Sequence, residues 1–182
     1  MIALLVIDQQ KGIDHPKLGE RNNLNAEKAM LNLLSKWRKL SWPIFHIRHC
    51  STERQSVFWP EQDGYEFKDE FLPLEGERVI TKNVPCAFTK NCLESELAKI
   101  GINEIVIVGV ATNNSVEATA RTGGNLGLCV HVAEDACFTF AKYDYFGNLR
   151  SAEEVHAMSL ANLQGEYALV TSSEAIINKV KS

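Results

Sequence analysis

The chain has 182 residues, of which 45% are hydrophobic and 23% charged, with a formal net charge of -4. That balance suits an ordinary globular fold with enough apolar material for one substantial core. Lys and Arg do not cluster, so the electrostatic footprint of a nucleic-acid binder is absent.

Ile2 to Ile7 is a continuous apolar run ended by Asp8, the pattern of a strand covered on both faces. The run is too short to span a membrane and lacks the basic start of a signal peptide, so a cytoplasmic protein is expected. Ala26, Ala29, Met30, Leu33, Leu34, Trp37 and Leu40 keep helical spacing, and Pro43 ends that helix. Ile44 to Ile47 reads as a second strand and Arg78 to Thr81 as a short third. Leu93, Leu97 and Ile100 mark a helix stopped by Gly101. Ile105 to Val108, Leu128 to Val132 and Tyr167 to Val170 read as three more strands. Helices are predicted from Ser115 to Leu126, from the capping box Ser151-Ala152-Glu153-Glu154, and from Ser173 to Val180.

Six strands alternating with helices predict a three-layer α/β fold: one parallel, doubly wound sheet with helices on both faces, in a single domain over residues 1–182. Ligands of such folds bind beyond the carboxyl ends of the strands. Asp8, His49, Cys50, Lys82, Ser115 and Asp135 all lie at or just after a predicted strand end. Two long connections, 51–77 and 138–150, carry many aromatic residues, among them Phe58 and Trp59. Such loops wall a pocket or bury a subunit contact.

An Asp near a Lys can be held ionised and oriented for proton transfer, which makes Asp8 and Lys82 a candidate pair. Ser115 has two readings. It is a suitable helix N-cap, as are Thr112, Asn113 and Asn114, and it is a candidate nucleophile with Asp8 as the base in prospect. Gly123 and Gly124 cost about 1 kcal/mol each inside a helix, so close packing is expected there. His46 and His49 leave a strand on opposite faces, which argues against a shared metal; His46 is expected in the core and His49 at the pocket. His156 reads as a packed boundary residue. Five cysteines, odd in number and without CxxC spacing, argue for free thiols and against a structural zinc site. Cys86 and Cys137 are placed near Lys82 and Asp135. The first strand leads into Asp8-Gln9-Gln10-Lys11-Gly12 rather than a GxGxxG turn, which disfavours a dinucleotide site.

Four segments together resemble the isochorismatase-like cysteine hydrolases, a family that includes nicotinamidases, N-carbamoylsarcosine amidases and isochorismatases. They are Leu4 to Gln10, Lys82 with Ala87-Phe88-Thr89, Gly109 to Thr112 running on to Arg121, and Asp135-Ala136. They occur in family order and span nearly the whole chain. The resemblance implies a six-stranded parallel sheet, a catalytic group at Asp8, Lys82 and Ser115, and a cis peptide between Val110 and Ala111. It also implies an oxyanion hole from the N–H groups of Ala111 and Ser115, and at least a dimer. Gln10, His49, Phe58, Trp59 and Thr112 are the substrate-binding candidates, and Arg48, His49 or Arg54 the candidates for holding a substrate carboxylate. Nicotinamidases of the family bind a metal through Asp-x-His after the second strand; Cys50-Ser51-Thr52-Glu53 stands there, so neither metal nor other cofactor is expected.

Ser115 occupies the position of the family's cysteine. Three accounts fit: a native serine in a working hydrolase, a Cys-to-Ser replacement, or a relative that binds a small ligand without turnover. The expected function is hydrolysis of a small-molecule amide or carbamoyl C–N bond. The alternative within the family is vinyl-ether cleavage with Asp8 as general acid.

Overall fold

A computed structural model of the chain describes residues 1–180. Lys181 and Ser182, which the expected domain includes, lie outside the described residues. The strands are β1 (Ala3–Ile7), β2 (Ile44–His49), β3 (Arg78–Lys82), β4 (Glu104–Val110), β5 (Cys129–Phe138), β6 (Lys142–Tyr143), β7 (Leu149–Arg150) and β8 (Leu169–Thr171). The α-helices are α1 (Ala26–Leu40), α2 (Leu93–Lys99), α3 (Glu117–Asn125), α4 (Ala152–Leu163) and α5 (Ser173–Lys179).

The main sheet has the order β3-β2-β1-β4-β5-β8, and every neighbouring pair in it is parallel. The predicted parallel α/β architecture is the observed one. β1 is entirely buried, as its unbroken apolar run requires. Its residues alternate between two cores. Leu4 and Val6 face α1 and α5 with Val106 and Val108. Leu5 and Ile7 face Ile105, Ile107 and the helices that carry Leu93, Ala120 and Leu163. Trp37 is fully buried, and its indole N–H donates to the Ile2 carbonyl at 2.9 Å, so the largest side chain of α1 keeps its polar atom paired.

The winding of the chain reverses between β1 and β4, which places the crevice of a doubly wound sheet at their carboxyl ends. The two strands approach closely there. Gly109 pairs with Ile7, has φ +124°, and a Cβ on it would meet the Ile7 carbonyl oxygen at 2.1 Å. Only glycine fits. Gly124 meets the same need on the helix layer, since its Cβ would stand 2.7 Å from the Tyr167 carbonyl oxygen. The paired glycines of α3 therefore serve packing, as their cost in a helix suggested.

Three differences from expectation have physical causes. β5 is ten residues long, not five, because a bulge sets Ile107 against Val132 but Gly109 against Cys137. Asp135 sits in that bulge and accepts from Ser173 N at 2.7 Å and Ser173 Oγ at 2.6 Å. It holds the start of α5 and is not a pocket residue. Residues 142–150 form the β6–β7 hairpin, turned by Asp144, whose carboxylate accepts from the N–H groups of Phe146 and Asn148. The predicted capping box is present: Ser151 N donates to Glu154 Oε2 at 2.8 Å, and Glu154 N donates to Ser151 Oγ at 3.2 Å.

His46 is a core residue bonded to Glu77 at 2.7 Å. Burial alone would raise the Glu77 pKa, but hydrogen bonds from Arg38, the Leu74 N–H and His46 outweigh it and hold the carboxyl at about 2. A depressed folded pKa gives stability that is complete above the ordinary value of 4.5 and is lost as pH falls from there toward 2. Denaturation midpoints should therefore drop over that window, and Glu77→Gln should flatten the slope. An unchanged slope in the variant would remove Glu77 from the acid response.

Candidate active site

Asp8 follows β1, Lys82 ends β3 and Ser115 lies beyond β4, yet their side chains meet. Lys82 Nζ donates to Asp8 Oδ2 at 2.8 Å, Ser115 Oγ donates to the same oxygen at 2.8 Å, and Lys82 Nζ lies 3.1 Å from Ser115 Oγ. All three residues are buried. β3 and β1 are separated by β2, a span of about 10 Å between outer strands. Only a long side chain carries a charge across it, which explains a lysine at the edge strand. Asp8 is the residue that turns the chain out of the sheet, and it does so at φ +53°. A non-glycine residue held there costs on the order of 1 kcal/mol or more and persists where the surroundings impose it.

The Val110–Ala111 peptide is cis. Thr112–Val116 then forms one π-helical turn before α3. The N–H groups of Asn114 and Val116 both donate to the Ala111 carbonyl, at 3.0 and 3.2 Å. Ser115 thus lies inside the turn rather than at a helix N-cap, and its hydroxyl points at Asp8 instead of at backbone. The expected capping role is thereby corrected. Three contacts pin the turn from outside. Thr112 Oγ1 bonds His156 Nδ1 at 2.8 Å, Ser159 Oγ donates to the Thr112 carbonyl at 3.0 Å, and Thr139 Oγ1 donates to Asn113 Oδ1 at 2.5 Å.

A cavity of about 550 Å³ opens onto Asp8, Ala111 and Ser115 and is walled by His49, Phe58, Asn114, Phe140 and Lys142 among others. His49 faces it as expected. Burial, with the Lys82 ammonium behind it, lowers the His49 pKa below its usual 6.5, so the imidazole is neutral near pH 7. Its ring stands edge-on to Phe58, with centroids 5.8 Å apart.

Of the other candidates named from the sequence, Phe58 lines the cavity, but Gln10, Trp59 and Thr112 do not. The Gln10 amide is spent on backbone: its Oε1 accepts from His49 N at 2.8 Å and its Nε2 donates to the His49 and Tyr65 carbonyls at 2.9 and 2.8 Å. It fixes the end of β2 and so the place of His49. Thr112 is buried against α4. Trp59 is half-buried within the loop that follows β2. Arg48 stacks over Tyr65 at 4.3 Å, and exposed Arg54 lies 4.0 Å from Glu61; neither reaches the cavity. Cys137 is fully buried, and burial pushes its thiol pKa well up. Cys86 donates to Thr122 Oγ1 at 3.2 Å. Neither thiol lines the cavity.

Phe140 belongs to the aromatic connection 138–150, expected to wall a pocket or bury a subunit contact, and it lines the cavity; sequence reasoning missed Lys142 and read Asn114 only as a possible helix cap. Phe140 and Lys142 alternate along an extended stretch after β5, a period-two signal hidden by the aromatic crowding of the same segment.

The comparisons with known proteins agree with one another. A family model described as the Isochorismatase domain matches residues 2–175. The isochorismatase family protein YrdC of Bacillus subtilis is 35% identical, over 97% of this chain and 94% of its own. The ureidoacrylate amidohydrolase RutB of Klebsiella pneumoniae is 40% identical, over 74% of this chain and 72% of its own. Among solved structures, a protein of the isochorismatase family from Chromobacterium violaceum superposes with a TM-score of 0.96 at 49% identity, covering 99% of this chain and 93% of that one.

Proposed function

The chain belongs to the isochorismatase family of hydrolases, and from that premise we propose that it hydrolyses a C–N bond of a small amide or carbamoyl compound through Asp8, Lys82 and Ser115. The observation that carries this reading is the convergence of Lys82 Nζ and Ser115 Oγ on one carboxylate oxygen. The amidohydrolase relative supports the bond type.

In the proposed reaction Asp8 accepts the Ser115 hydroxyl proton as Oγ bonds to the substrate carbonyl carbon. Lys82, 3.1 Å from Oγ, stabilises negative charge on the oxygen before attack. The carbonyl oxygen becomes an oxyanion, held by the N–H groups of Ala111 and Ser115. Protonated Asp8 then returns its proton to the departing nitrogen, the C–N bond breaks, and an ester on Ser115 remains. Water, losing a proton to Asp8, attacks that ester; the bond from the carbonyl carbon to Ser115 Oγ breaks, Asp8 returns the proton to Oγ, and the acid is freed. His49, neutral beside this pair, is assigned to hydrogen-bonding of substrate. A second reading draws on Asp8 Oδ1, which is buried without a hydrogen-bond partner among the described residues. In that reading Asp8 acts as general acid on a vinyl ether without a covalent nucleophile.

Ammonia release from small amides, ureides and carbamoyl compounds, measured beside acid release from isochorismate, tests the assignment. Turnover of the nitrogen compounds is expected. Cleavage of isochorismate alone would favour the second reading.

Substrate charge has a candidate anchor. Lys142 lines the cavity, and its ammonium has no ion pair among the described residues. It replaces Arg48 and Arg54 as the group to hold a substrate carboxylate. Lys142→Met should raise KM for an acidic amide about tenfold, the loss of one charged hydrogen bond, with kcat little changed and neutral amides unaffected. Equal effects on acidic and neutral substrates would discard the anchor.

Homo-oligomer formation is a further proposal. It rests on the β6–β7 hairpin, where Tyr145 and Phe146 are 95% and 84% exposed. A monomer mass by light scattering would contradict it. No helix among the described residues is long and apolar enough to cross a membrane.

A further inference from the structure

A second cluster of reactive groups stands at the amino-terminal edge of the sheet, at the opposite end of the strands from Asp8. Glu104 opens β4, Cys129 opens β5, and the two are register partners. His131 follows Cys129 by two along β5, so both side chains leave the sheet on one face. Glu104 Oε1 lies 2.7 Å from His131 Nε2, and Cys129 Sγ lies 3.6 Å from that same nitrogen. All three donor atoms fall within 4.8 Å of one another. Zinc bonds of about 2.0–2.3 Å put tetrahedral donors roughly 3.3–3.8 Å apart, so shifts of a few tenths of an ångström to an ångström complete the geometry.

The chemistry of the set is also that of zinc. A thiolate, an imidazole and a carboxylate are the three side-chain donors zinc takes, and hard cations such as Mg²⁺ do not use thiolate. His131 is buried, Glu104 is half-buried and Cys129 is exposed, which gives a fixed inner wall and an open approach. The place already holds a cation. Lys179 of α5 pairs with Glu104, and its Nζ lies 3.2 Å from His131 Nε2. We propose that Glu104, Cys129 and His131 form a Zn²⁺ site, in which the ion displaces the Lys179 ammonium and water fills the fourth position. Cys129 gives its thiol proton to solvent as the Zn–S bond forms. Cysteine spacing gives no hint of such a site, because its ligands come from two strands and include one thiol.

Cobalt(II) titration of the untagged, chelator-treated chain tests this, since Co²⁺ reports thiolate ligation by a charge-transfer band and tetrahedral geometry by intense visible bands. One equivalent should bind, and Zn²⁺ should erase both signals. Cys129→Ser should abolish the charge-transfer band. His131→Ala should weaken binding at least about tenfold, the scale set by disrupting a metal site's supporting groups. Lys179→Met should tighten it several-fold by removing a competing cation. Absence of the bands would overturn the site. So would their survival in Cys129→Ser, which would assign them to another thiol such as exposed Cys92. Because Cys129 is exposed, that variant keeps the fold, and circular dichroism verifies it. The readout is independent of hydrolytic activity.

Discussion

Asp8→Asn is expected to lower kcat/KM by about 10³–10⁴-fold on any amide the protein turns over, the upper range for removing a general base. Asparagine keeps the shape of the side chain and still offers an oxygen to Lys82 and Ser115, but it cannot take the hydroxyl proton. In the parent site that hydroxyl donates to Asp8 Oδ2 at 2.8 Å. KM should change far less than kcat, because Asp8 acts on the nucleophile rather than on bound substrate. Turnover within tenfold of the parent would show that another group or a hydroxide does the work. The comparison is made where both proteins are folded, since the variant leaves the Lys82 ammonium facing a neutral amide.

Lys82→Met should unfold the protein far more easily, by about 3–5 kcal/mol, the cost of stranding one member of a buried ion pair. The Lys82 side chain is 0% exposed and that of Asp8 8%, so little water can compensate the orphaned carboxylate. The double variant Asp8→Asn/Lys82→Met should recover part of this loss, because it leaves no charge to strand. Urea midpoints of the parent, both single variants and the double variant form the cycle. A cost for Lys82→Met below about 1 kcal/mol would place the pair among solvated ion pairs and would weaken the case that the protein holds Asp8 in place at the expense of burial.

The sheet was legible because its strands are buried on both faces, so Ile2 to Ile7 and Ile105 to Val108 are unbroken apolar runs. Asp8 and Lys82 were legible because a parallel sheet collects its ligand groups at one edge, and each stands at the end of such a run. The orientation of Ser115 was not. A polar stretch such as Thr112-Asn113-Asn114-Ser115 offers four equivalent caps, and the choice is made by tertiary contacts: His156, Ser159 and Thr139 hold the turn from 26 or more residues away. Gln10 was misplaced for a related reason. Its distance from the pocket depends on pairing with His49 and Tyr65, partners that no local pattern reveals. Asp135 resembled a strand-end carboxylate because the bulge that lengthens β5 has no sequence signature. Arg48, a candidate from the sequence, lies over the face of Tyr65 and away from the cavity, a tertiary contact that no local pattern reveals.

The most direct test of a nucleophilic Ser115 is ammonia release by the parent, Ser115→Ala and Ser115→Cys on one confirmed amide substrate. A hydroxyl nucleophile activated by Asp8 predicts that Ser115→Ala loses at least about 10³-fold in kcat, as covalent and acid–base steps fail together, while Ser115→Cys retains turnover. Undiminished turnover by Ser115→Ala would contradict it and leave the chemistry to Asp8 with water or substrate alone.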